Sequence, residues 1–260
     1  NIGTSVLCSQ YLGARMHKNM VQVVGVSLIL NLVFGLFVSA ILHYGATSLL
    51  SMMGLRPELM EYGVSYMKIV GAFAFFQAIS LTISASLRSA NKAVYPMMVT
   101  VVVNILNIIG NYSLIFGKFG MPALGVEGAA ISTAFARGVS MVILFVILFR
   151  KHIPRFPLSY FRPFPFVELK NLLKIGVPSA GENMSYSFSQ VVLTYFINML
   201  GNEALATRTY VVNIVMFVYL FAIAMAQGGA ICIGHLVGER KLHAAYLLGK
   251  YVMRISILVS

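Results

Sequence analysis

Val21-Gln-Val-Val-Gly-Val-Ser-Leu-Ile-Leu-Asn-Leu-Val-Phe-Gly-Leu-Phe-Val-Ser-Ala-Ile-Leu-His-Tyr44 contains no Asp, Glu, Lys or Arg. A helix that crosses a bilayer needs about 20 mostly apolar residues, and this stretch supplies them. The charge-free run around it extends from Asn19 to Leu55. That is longer than one crossing, so it reads as a helix over 21–44 followed by a short interfacial piece over 46–54. Tyr62–Leu87, Tyr95–Phe116, Gly128–Phe149, Ile175–Leu200 and Ala204–His235 fit the same template, with at most one charge each. The tail of another helix precedes Gly13 and the head of one follows Ala244. The expected fold is therefore all-α, a polytopic transmembrane helix bundle. The chain opens inside one apolar run and stops inside another, and is expected to be a piece of a longer protein.

Composition agrees. Only 10% of residues are charged, against 59% hydrophobic, whereas soluble domains carry roughly a quarter charged residues. Such a chain cannot cover itself with a wetted surface, so its expected partner is the lipid bilayer. The net charge of +12 does not indicate nucleic acid, which requires bases clustered on one face; here they fall in short runs between apolar stretches. One set of loops holds Arg15 and Lys18, then Arg88 and Lys92, then Arg150, Lys151, Arg155, Arg162, Lys170 and Lys174, then Arg240 and Lys241. The alternate set holds Arg56 with Glu58 and Glu61, Lys118 with Glu127, and Glu203 with Arg208. By the positive-inside rule the first set is cytoplasmic. This gives a multi-pass protein of the cell (inner) membrane, with loops near 15–18, 88–92, 150–174 and 240–243 inside. Cys8 and Cys232 sit in apolar segments without metal-ligand or disulfide spacing and read as packing residues. There is no Asp and no His pair at ligand spacing within a span, so metal-dependent and aspartyl catalysis are excluded. No enzyme and no cofactor are expected.

The connection 151–174 holds four of the eight prolines and reads as a cytoplasmic linker between two helical lobes, 1–150 and 175–260. The segment Gly3-Thr-Ser-Val-Leu-Cys-Ser-Gln-Tyr-Leu-Gly13-Ala-Arg15 is similar to Gly228-Gly-Ala-Ile-Cys-Ile-Gly-His-Leu-Val-Gly238-Glu-Arg240. One offset aligns two glycines and the arginine, and pairs Ser5 with Ala230 and Ser9 with Gly234. An even number of crossings separates the copies, so the repeats are parallel, related by an axis along the membrane normal.

Four stretches resemble the multidrug and toxic compound extrusion (MATE) family. They are Gln10-Tyr-Leu-Gly-Ala14; Leu87-Arg88-Ser-Ala-Asn91 leading to Pro96-Met97; Asn104-Ile-Leu-Asn107 with Asn111, running through Leu114-Ile-Phe-Gly117 to Gly125-Val-Glu-Gly-Ala-Ala130 and Thr133; and Gly176-Val-Pro178 through Glu182 to Leu200-Gly-Asn-Glu-Ala-Leu-Ala206. The resemblance implies two pseudo-symmetric six-helix lobes in the full protein, of which this chain holds the end of helix 2 to helix 6 and the start of the second lobe. It also implies efflux of organic, often cationic, substrates by antiport with sodium ions or protons, and a monomer. A lipid-linked saccharide flippase or exporter of the same superfamily is the alternative.

Glu182 is the leading site residue. On a helix starting near Ile175 it lies about two turns in, where an ionisable group is costly and usually functional; proton, Na+ or cationic substrate would compete for it. Asn104, Asn107 and Asn111 share one helical face, suited either to interhelical hydrogen bonds or to ion coordination, with Thr133 as a neighbour on the next helix. In the resemblance the position of Asn111 is often an Asp engaged in ion handling. Arg137, near mid-bilayer, is expected to pair with an acid or cap carbonyls. Gln190 and Asn198 belong to a polar stripe on the Glu182 helix that suits a cavity wall or tight packing equally. Pro178 and Pro96 are read as opening their helices.

Overall fold

The computed structural model describes residues 1–52, 57–153, 158–162, 164–199 and 202–259. The chain forms α1 (Ile2–Gly13), α2 (His17–Tyr44), α3 (Ala46–Met52), α4 (Pro57–Ala72), α5 (Ala74–Ser89), α6 (Val94–Phe116) and α7 (Gly125–Ile147). A π turn (Leu148–His152) and a 3-10 turn (Leu158–Phe161) lead to α8 (Phe166–Met199), α9 (Asn202–Gly238) and α10 (Leu242–Val259). α2, α6, α7 with its π turn, and α9 from Tyr210 are long and apolar enough to cross a membrane; α4 with α5 makes a fifth span if the bent pair counts as one.

Two of the expected spans differ from their reading. The stretch 62–87 is not one straight helix, since α4 and α5 meet at 45°. No proline causes this. At the break the backbone N–H of Phe75 donates to Ser39 Oγ of α2 at 3.2 Å, and His43 Nδ1 lies 3.1 Å from the Lys68 carbonyl. Side chains of α2 thus serve backbone groups on both sides of the break, one recognised cause of a sharp kink. The second difference is α8, which starts at Phe166, inside the segment read as linker, so Pro178 lies within the helix rather than opening it. Phe166 to Leu173 is helical because it has an apolar face, with Leu172 buried, and Pro178 costs α8 one hydrogen bond, leaving the Lys174 carbonyl without its helical donor. At 34 residues α8 is ~51 Å long, but with Glu182, Asn183 and Gln190 along it the expected crossing 175–200 is not among the helices apolar enough to span.

The helices group into two compact units, Val21–Pro165 with Asn1, and Ile2–Met20 with Phe166–Ser260. In the first, Val23, Val24 and Val26 of α2, Ile83 and Leu87 of α5, and Leu144 and Leu148 at the end of α7 are fully buried. In the second, α1 lies along α9. Both helices end in the same hydrogen-bonded turn: Met16 N–H to Tyr11 O and Arg15 N–H to Leu12 O in one, Lys241 N–H to Leu236 O and Arg240 N–H to Val237 O in the other. Arg15 and Arg240 are both left-handed, with φ of 59° and 63°, as this type of helix end requires. The packing is reciprocal too. A Cβ on Gly13 would overlap the backbone of His235, one on Gly238 that of Gln10, and one on Gly234 the side chain of Ser9. Under the sequence offset Gln10 corresponds to His235 and Ser9 to Gly234. The contact therefore has a local two-fold axis near Ser9 and Gly234, and small residues are required there because the helix backbones touch.

Candidate functional site

In the first unit the polar site is built where α6 and α7 pack closely. A Cβ on Gly110 would overlap Ser132, and one on Gly128 would meet the Leu114 carbonyl. That approach lets Asn107 Nδ2 donate to Thr133 Oγ1 at 3.3 Å and Ser132 Oγ to the Asn107 carbonyl at 3.3 Å. Asn111 Nδ2 donates to Asn107 Oδ1 at 3.0 Å, and Thr133 Oγ1 donates to the Ala129 carbonyl at 2.9 Å. The three side chains form a one-way relay of donors from Asn111 to the backbone of α7. Its open end is Asn111 Oδ1, buried and without a hydrogen-bond partner. A buried acceptor left unmade costs about 1–3 kcal/mol, so this oxygen is a ready partner for a cation or a protonated group.

The sequence-predicted residues divide accordingly. Asn107, Asn111 and Thr133 come together, while Asn104 is exposed on α6 and takes no part. Arg137, one turn beyond Thr133, is half-buried; among the described residues it has neither the acid nor the carbonyl partner expected of it. Glu127, the carboxylate in the first turn of α7, accepts a hydrogen bond from Ser65 Oγ at 2.6 Å.

In the second unit Glu182 stands one turn past Pro178, exposed along α8, sixteen positions after Phe166 rather than two turns from a helix start. It makes no ion pair with Lys174 among the described residues. Gln190 is engaged: Arg208 of α9 donates Nη2 to Gln190 Oε1 at 2.8 Å and Nη1 to Thr194 Oγ1 at 2.5 Å. This fork ties α9 to α8 and gives Gln190 a structural task. The side chain of Asn198 lies outside the described residues. Arg208 lies in the first turns of α9, within the expected span 204–235.

Sequence reasoning missed a third cluster. Glu168, in the first turn of α8, is 4% exposed. Tyr11 of α1 donates its hydroxyl to Oε2 at 2.7 Å, and Asn19 of α2 donates Nδ2 to Oε1 at 2.8 Å. One signal was present: Glu168 is the sole carboxylate in the basic run 150–174.

Several apolar helices long enough to span, turns ending in basic residues, and polar side chains joined between helices define a multi-pass membrane protein of the transporter class. The MatE family profile matches residues 1–113 and 178–260, and the chain belongs to that family. It is 42% identical to the uncharacterized transporter YisQ of Bacillus subtilis, over 94% of this chain and 54% of that protein. It is 28% identical to a probable multidrug resistance protein NorM of Thermotoga maritima, over 87% of this chain and 49% of that one. Its fold matches a MOP superfamily transporter from Pyrococcus furiosus, for which a reversed binding-pocket polarity suggests a different function, with a TM-score of 0.87 and 27% identity over 99% of this chain and 57% of that structure. The chain thus spans about half the length of the proteins it matches.

Proposed function

We propose that this chain is part of a secondary antiporter that exports organic, often cationic, compounds in exchange for sodium ions or protons. The observation that carries the reading is Glu182, a carboxylate without a partner among the described residues, on the polar stripe of α8 and one turn past the helix-weakening Pro178. A carboxylate in that setting binds a proton, a sodium ion or a cationic substrate, one at a time, and such exclusion is what an antiporter needs. The relay of Asn111, Asn107 and Thr133 supplies a second, neutral set of oxygens. Binding of ion and substrate would each favour a different facing state of two rocking lobes. The kinship with a probable multidrug resistance protein supports the substrate class.

The test is ethidium efflux from cells expressing the full-length protein, with the sodium and proton gradients collapsed in turn. Loss of efflux with one gradient supports antiport and names the ion; efflux indifferent to both removes the proposal. A second reading, a flippase or exporter of lipid-linked saccharides, rests on Arg137, whose half-buried guanidinium lacks a carboxylate among the described residues and would suit a diphosphate.

A further inference from the structure

The first unit carries an apolar groove that the transport site does not use. It has a volume of about 580 Å³ and is bounded by Ile69, Phe73 and Phe76 at the α4–α5 bend and by Phe135, Val142 and Ile143 of α7. Phe135 is 66% exposed and Val142 55%, so the groove is open along its length. At 100° per residue its lining on α7 faces about 150° away from Thr133 and Arg137, on the opposite side of the helix from the polar relay.

One edge of the groove leads to a cluster of positive charge. Ile143 and Arg150 are seven residues apart and stand ~10 Å apart along the helix. Arg150 and Lys151 are exposed on the π turn. Lys92, in the turn after α5, donates its ammonium to the Lys151 carbonyl, and His152 Nε2 lies 3.2 Å from Ser86 Oγ. These bonds join the ends of α5 and α7 into one surface. Arg88, at the same end of α5, is half-buried and has no partner among the described residues. The described carboxylates of this unit, Glu58, Glu61 and Glu127, all open helices at the other end of the bundle or lie near such an opening. Helix dipoles do not neutralise the cluster: two C-termini contribute about half a negative charge each, against four cations.

We propose that this surface binds one anionic phospholipid of the cytoplasmic leaflet, with its phosphate held by Lys92, Arg150 and Lys151 and an acyl chain lying in the groove. Two features set this apart from general attraction of basic loops to anionic lipid. The Lys92 ammonium is held at the Lys151 backbone, and an apolar trough begins about two turns deeper on the same helix. The two parts are spaced as in a lipid, head at the interface and chain towards mid-bilayer.

The experiment is native mass spectrometry of the full-length protein released from nanodiscs containing phosphatidylglycerol and phosphatidylcholine. The protein is expected to retain one phosphatidylglycerol in preference to phosphatidylcholine. Replacing Lys92, Arg150 and Lys151 together by Gln is expected to lower that retention about a hundredfold, near fivefold for each cation beside an anionic leaflet. Val142→Trp, which fills the groove from its exposed side without altering charge, is expected to lower it as well. Retention unchanged by the triple substitution would overturn the proposal. So would a Val142→Trp protein that still holds its lipid, or displacement of the lipid by millimolar inorganic phosphate, which would make this a free-anion site.

Discussion

Removing the Glu168 carboxyl group should loosen α8 from Tyr11 of α1 and from Asn19 at the start of α2 together. Glu168 accepts from Tyr11 at 2.7 Å and from Asn19 at 2.8 Å while itself 4% exposed. Both donors are half-exposed and regain water when the acceptor goes, so each bond contributes about 1 kcal/mol rather than the full penalty of a buried orphan. Glu168→Ala therefore costs about 2 kcal/mol, roughly thirtyfold in the population of the open state. Glu168→Gln keeps the shape and one acceptor, and Tyr11→Phe removes one donor; each should cost about 1 kcal/mol, roughly fivefold. Cys8 of α1 is fully buried whereas Cys232 is exposed. In a Cys232→Ser background, labelling of Cys8 by a maleimide dye reports how often α1 leaves its neighbours. The expected order of rates is Ala above Gln and Phe, and both above the parent. A Glu168→Ala protein that labels within twofold of the parent would refute the reasoning.

Other expectations follow from the same packing. Gly234→Leu drives a branched side chain into Ser9 at the α1–α9 axis; it should cost at least 1–3 kcal/mol and lower the thermal midpoint of the purified protein. Arg208→Gln leaves Gln190 and Thr194 without their shared donor; it should destabilise the α8–α9 pair by about 1–2 kcal/mol, read as faster proteolysis at the end of α8 with membrane insertion unchanged. Asn111→Asp turns the open end of the relay into a carboxylate beside Asn107, so efflux should become more dependent on sodium or proton supply, read from its response to each gradient.

Much of this architecture was legible in the residues. Charge-free runs located α2, α6, α7 and most of α9 as spans. The offset between Gly3–Arg15 and Gly228–Arg240 marked two equivalent helix ends, but not that they share the same hydrogen bonds and pack on each other through small residues. The bend after Ala72 was not legible, because its cause is Ser39, a residue thirty-six positions earlier on another helix. The early start of α8 was hidden by four prolines and six bases, which mark a linker by composition although Phe166–Leu173 carries an apolar face. At the site, the spacing of Asn107 and Asn111 placed them on one face, but the direction of their hydrogen bonds depends on how closely Gly110 and Gly128 bring α6 to α7. The Glu168 cluster draws on three helices, and only its odd sign among basic residues hinted at it. Arg137 and Gln190 show the converse: residue type suggested a partner for Arg137 that the described residues do not supply, and left packing and a cavity wall equally open for Gln190, which Arg208 holds.

In the proposed antiport, Glu182 couples ion entry to substrate exit. The direct measurement is ethidium efflux by Glu182→Gln in the full-length protein, with insertion checked by membrane fractionation. Gln keeps the volume and hydrogen-bonding reach of Glu but cannot take up a proton or offer a negative charge to a cation. Gradient-driven efflux is expected to be abolished while the inserted amount is unchanged; efflux equal to that of the parent at equal insertion would remove Glu182 from the coupling role.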